Sequence, residues 1–67
     1  MVHVYGNVQS VRPLGLLANG NLYLIAIPPN HNRIAGRLAH DYGHWVSLQG
    51  WVAQNDGASV FEVTRVQ

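Results

Sequence analysis

The chain has 67 residues, 48% of them hydrophobic and only 10% charged, with a formal net charge of +1 and no cysteine. That length builds one small domain at most, and without thiols neither a disulfide nor a thiolate metal cage holds it together. Globular proteins average about 25% charged residues, so this surface is close to neutral, which excludes a histone-like polycation and a disordered charged tail.

Residues 2–11 alternate, with Val2, Val4, Gly6 and Val8 on one face and His3, Tyr5, Asn7 and Gln9 on the other. Period two with β-branched residues predicts a half-buried strand, and the inward glycine marks a bend, a bulge or a close backbone approach. Arg12-Pro13 ends it, because proline donates nothing to a ladder. Two apolar runs follow on either side of Asn19-Gly20, a pair whose tolerance of positive φ predicts a tight hairpin. Folding there places Ala18 opposite Asn21, Leu17 opposite Leu22 and Leu16 opposite Tyr23. Pro28-Pro29 stops the third strand.

Residues 33–42 carry the helical pattern. Ile34, Leu38 and Tyr42 fall at i, i+4 and i+8 with Ala35 and Ala39 beside them, and Arg33, Arg37 and Asp41 line the other side. Asn30 or Asn32 is the expected N-cap and Gly43 the terminating glycine. A helix this short needs a sheet or barrel to cover, with Ile34 and Leu38 as its core residues. Residues 44–53 alternate again, with Val46, Leu48, Gly50 and Val52 opposed to Trp45, Ser47, Gln49 and Trp51. Asn55-Asp56-Gly57 predicts a second hairpin. The last strand, residues 60–66, turns Phe61 and Val63 inward; Val66 breaks the alternation and rejoins the core only through a bulge or twist.

The order is therefore three strands, a helix and two strands. With the glycine in the middle of the long first strand, the Asn19-Gly20 hairpin, the helix, the glycine-started stretch Gly43-His44-Trp45-Val46-Ser47-Leu48-Gln49-Gly50-Trp51-Val52 and the closing Phe61-Glu62-Val63-Thr64-Arg65-Val66, this resembles the OB-fold superfamily over nearly the whole chain. The resemblance implies a mainly β, five-stranded Greek-key barrel plugged by one helix between strands 3 and 4, spanning residues 1–67. The alternative is an SH3-like barrel, of similar size and strand number but without a helix in that slot. The OB class binds oligonucleotides or oligosaccharides, so the resemblance implies a binding module.

The aromatic residues fit that implication. Exposed aromatics among polar neighbours on strands are platforms on which bases stack, and Tyr5, Tyr23, Trp45 and Trp51 are the candidates. Arg12, between strands 1 and 2, and Arg33, at the helix start, are the candidate phosphate contacts. Arg37 stands four residues before Asp41, the spacing of a helix-surface ion pair, and residues 54–59 between strands 4 and 5 are acidic if anything. Binding to single-stranded DNA or RNA is thus expected to be weak, driven by stacking and sensitive to salt. The second reading is a self-assembling or protein-interaction module, with a homo-oligomer or a larger protein partner, in which the outward tryptophans meet another chain and strands 1, 4 or 5 pair edge to edge.

Other chemistry finds little support. His40 and His44 have a metal-ligand spacing, but Gly43 ends the helix between them and few acids remain to complete a site, so neither metal nor cofactor is expected. There is no paired-carboxylate set, no phosphate-cradling glycine loop and no Ser–His–Asp arrangement, so no enzyme is expected. No apolar run approaches the ~20 residues of a membrane span, and the first residues lack a basic, then apolar, leader, so the expected location is cytoplasmic, without membrane contact.

Overall fold

The computed structural model describes residues 1–11 and 14–67. In chain order they form β1 (Val2–Gln9), β2 (Gly15–Ala18), β3 (Asn21–Ala26), α1 (Asn32–Ala39), β4 (Trp45–Asn55) and β5 (Ala58–Val66). The strands close into one barrel in the order β1-β2-β3-β5-β4, antiparallel at every seam except β3–β5, which is parallel. The expected fold class, a mainly β five-stranded barrel with its helix between the third and fourth strands, is the one observed. The SH3-like alternative fails on that helix.

Both hairpins turn on positive-φ pairs, Asn19 (φ 52°) with Gly20 (φ 80°) and Asp56 (φ 52°) with Gly57 (φ 80°). The first sets the β2–β3 register as expected: Ala18 faces Asn21, Leu17 faces Leu22 and Leu16 faces Tyr23. The second is tighter than the three-residue turn read from sequence, because Asn55 already pairs with Ala58.

The core inside the barrel consists of Val8, Leu14, Leu16, Ala18, Leu38, Val46, Leu48, Phe61 and Val63. Leu38 is fully buried, and Ile34 packs against the same cluster from the helix. Alternation holds along β4 from Trp45 to Trp51, but Val52, expected inward, is 47% exposed because the strand runs past the covered core there. Along β5 the alternation is broken. Gln49 pairs with Arg65 but Gly50 pairs with Val63, so Thr64 is an extra residue and the strand bulges there. The Thr64 hydroxyl donates to the Gln49 carbonyl at 3.1 Å, which ties the bulge down. Beyond it the parity of β5 is reversed. Arg65 turns outward opposite Gln49, and Val66 returns to the core opposite Leu48. A Cβ on Gly50 would run into the Glu62 backbone carbonyl, so only glycine lets the two strands approach this closely. Gly6 permits a second close approach, over Leu16 and Ala18 of β2.

The helix is shorter than its apolar stripe. It ends at Ala39 instead of continuing to residue 42. His40 and Asp41 turn back with N–H bonds to the Arg37 and Leu38 carbonyls at 3.1 and 3.0 Å, a tightened final turn. The chain is then drawn onto β1. Gly43 N–H donates to the Val8 carbonyl at 2.7 Å, and Val8 N–H to the His44 carbonyl at 2.9 Å. Tyr42 therefore leaves the helical stripe and bridges to Val8. Neither Asn30 nor Asn32 caps the helix. The N-cap is His31, whose ring Nδ1 lies 3.0 Å from the Pro29 carbonyl and makes no bond to the helix end.

Three substitutions test this packing by denaturant unfolding. Leu38→Ala is expected to cost about 2–5 kcal/mol, and Gly50→Ala about 1–3 kcal/mol or more, by forcing the bulge apart. Gly36 sits in the helix with open space around its would-be Cβ, so Gly36→Ala is expected to stabilise by up to about 1 kcal/mol. A neutral Gly50→Ala would show that the bulge relaxes freely.

Candidate functional site

The residues singled out from sequence separate into three places, and Arg12 lies outside the described residues. Tyr5 and Trp45 stand on the outer face of the β1–β4 pair. They are 63% and 58% exposed, and their rings stack with centroids 5.3 Å apart and planes 25° from parallel. Their strand neighbours on that face, His3, Asn7, Ser47 and Gln49, carry no carboxylate and no arginine, so the patch is aromatic and neutral. Tyr23 does not join them. It points toward the core with Leu16 opposite and meets Phe61 edge-on at 6.3 Å. Trp51 shares a face of β4 with Trp45, but six residues further along. At the rise of a strand that is about 20 Å, and the barrel curves between them.

Trp51 belongs to a different surface. It pairs across the ladder with Glu62, and Glu62 pairs in turn with Ala26 of β3, so the three form one outward row over β4, β5 and β3. Ala26 contributes only a methyl group, and the row is a trough rather than a ridge. The chain leaving β3 walls it with Ile27, Pro28 and Pro29, and Thr64 of the bulge completes a groove of about 430 Å³. Trp51 is 49% exposed at its edge.

Thr64 also lines a second concavity, of about 290 Å³, between β5 and α1. Arg33 and Arg37 project into it from successive turns of the helix, and Arg65 from the strand, over a floor of Ile34 and Val66. Three of the four arginines in the chain thus border one hollow. Among the described residues none of them forms an ion pair; the single pairing is between His44 Nδ1 and Asp41 Oδ1, at 4.0 Å. The Arg37–Asp41 helix-surface pair expected from sequence is absent because the helix ends at Ala39, and Asp41 no longer stands one turn above Arg37. Asp41 instead turns toward His44, with its Oδ2 buried and unpartnered.

Of the expected residues, then, Trp51 and Arg33 lie on adjoining grooves, while Tyr5 and Trp45 form a separate stack and Tyr23 serves the core. Sequence reading missed Arg37, Arg65, Glu62 and Thr64. The i, i+4 spacing of Arg33 and Arg37 is visible in the sequence, but so is the spacing of Arg37 to Asp41, which gives Arg37 to an ion pair and leaves Arg33 alone as a phosphate contact on the helix. Arg65 was hidden by the bulge, since strict alternation from Val63 turns it inward.

The groove between the β1–β2 and β4–β5 connections, where the OB resemblance places binding, is lined by Val11, Leu22, Leu24, Gly57, Ala58 and Ser59. Among the described residues it has neither an aromatic ring nor a charge. The joined grooves at Thr64 combine a flat aromatic surface with clustered positive charge, and this combination suits a ligand with both a planar ring and an anionic group. Among the described residues no helix is long and apolar enough to cross a membrane. No family model, curated protein or solved structure matches the chain.

Proposed function

We propose that this chain is a small binding module of the OB class that takes single-stranded nucleic acid along the β4–β5–β3 surface, with bases on Trp51 and phosphates on Arg33, Arg37 and Arg65. The observation that carries the reading is the junction at Thr64, where the Trp51 groove meets the hollow bordered by three arginines without carboxylate partners. The barrel order and the helix between β3 and β4 support the OB assignment. A base stacked on an exposed ring contributes about 1–3 kcal/mol. With only three cationic contacts, affinity per domain is modest and depends on ionic strength.

A second reading, self-assembly, is favoured by the exposed Tyr5–Trp45 stack on a neutral face. Edge-to-edge strand pairing does not support it, because closure gives β1, β4 and β5 two neighbours each. It would proceed through the aromatic face instead.

Two experiments separate the readings. In a Trp45→Phe background, the fluorescence of Trp51 is expected to quench to saturation as a mixed-sequence single-stranded oligonucleotide is added. The logarithm of the binding constant should fall with the logarithm of salt concentration with a slope of about −2, as three phosphate contacts require, and each Arg→Ala change at 33, 37 or 65 should reduce that slope by about 0.7. A flat titration at low salt overturns the nucleic-acid reading. For the second, solution mass is measured by sedimentation. A multiple of 7.4 kDa that reverts to monomer in Tyr5→Ser/Trp45→Ser supports self-assembly, and a monomer at high concentration rejects it.

A further inference from the structure

We infer that the Trp51 groove prefers guanine, with Glu62 reading its base edge; the inference rests on the nucleic-acid reading of that surface. Glu62 is the cross-strand partner of Trp51, and both line the same groove. Paired side chains on one face of a ladder start about 5 Å apart at Cβ. A ring lying on Trp51 therefore presents its edge to the carboxylate. Space for it exists because the next residue in the row is Ala26, and Pro28 and Pro29 close the far side. Among the described residues, the Glu62 carboxylate forms no hydrogen bond or ion pair, so its two oxygens are available to a ligand.

An ionised carboxylate only accepts hydrogen bonds, and it accepts two side by side when both oxygens are engaged. Of the four bases, guanine alone offers two adjacent donors on its pairing edge, N1–H and the N2 amino group. Adenine and cytosine each set one amino donor beside a ring-nitrogen acceptor, which repels the carboxylate. Thymine and uracil flank a single N3–H with two carbonyl oxygens. A cationic ligand, the other natural partner of a tryptophan beside a carboxylate, is opposed by Arg33, Arg37 and Arg65 across Thr64. Those same charges favour a ligand that brings its own phosphates.

The test compares thymidine tracts that carry one central guanine, adenine or cytosine, or none, by fluorescence anisotropy of the labelled strand. The guanine tract is expected to bind about tenfold more tightly than the other three, which is within the discrimination of a bidentate contact. Glu62→Gln replaces one acceptor by a donor and is expected to abolish that preference. Glu62→Asp keeps the charge but withdraws the carboxylate by one methylene, and is expected to reduce the ratio of guanine-tract to thymidine-tract affinity. Unchanged thermal unfolding of both variants shows that the barrel is intact. Equal binding of all four tracts by the wild-type protein overturns the guanine inference and leaves the nucleic-acid reading standing. So does a uniform gain for every tract in Glu62→Gln, which would make Glu62 merely a repulsive charge. No binding of any tract overturns both.

Discussion

The absence of a side chain at Gly50 is the constraint on which the rest of the molecule depends. Its would-be Cβ falls on the Glu62 carbonyl, and β4 and β5 reach their spacing only because nothing is there. The close approach sits beside the register shift that makes Thr64 an extra residue, and the shift reverses the parity of the last strand. Val66 is delivered to the core and Arg65 to the outer surface beside the helix. Without the bulge the same sequence would bury a guanidinium and expose a valine. Burying an unpaired charge costs several kcal/mol, a large part of the stability of a domain this small. Core packing and the placement of charge are thus satisfied by one local irregularity.

Low charge content has a consequence at the site. The chain has only three acidic residues for its four arginines. Asp56 is used in a hairpin turn with positive φ, and Asp41 turns toward His44 beyond the helix end. Glu62 remains, on the opposite side of Thr64 from the arginine hollow. The hollow is consequently not neutralised from within the molecule. Surface guanidinium groups ordinarily find partial partners, and such pairs contribute little to stability. Leaving them free here costs the fold almost nothing and keeps their donors available.

The fold was legible in the sequence because its determinants are local. Asn19-Gly20 fixes both turn type and register, and the alternation of residues 2–8 and 45–52 assigns inward and outward faces except at the outer positions Val2 and Val52, which are expected inward and lie exposed. The break at Val66 was readable too, as a bulge or a twist, and the register shift shows which of the two it is. The helix end was less legible. The stripe Ile34, Leu38, Tyr42 continues past Ala39, but pairing of Val8 with residues 43 and 44 outweighs one more helical turn, and that competition is invisible to periodicity. The site was legible only in part. Trp51 and Arg33 stood out as residue types, whereas their grouping with Arg37, Arg65 and Glu62 comes from the parallel β3–β5 seam and the reversed parity, both of them non-local.

The position of this grouping follows from how the barrel closes. On the β2–β3 side the outward residues are Leu17, Leu22 and Leu24, and the nearby groove is bordered by Gly57, Ala58 and Ser59. These side chains offer neither rings nor charges. On the β3–β5–β4 side, by contrast, the outward row runs Ala26, Glu62, Trp51, from smallest to largest, and that gradient hollows the surface next to the tryptophan. The helix connection then brings Pro28 and Pro29 to one side of the hollow and two arginines to the adjoining one. Proline at both positions restricts the backbone of that wall, so less conformational freedom is lost when a ligand enters. A stacking surface, a stiff wall and an unneutralised cationic edge converge where the parallel seam, the bulge and the helix meet.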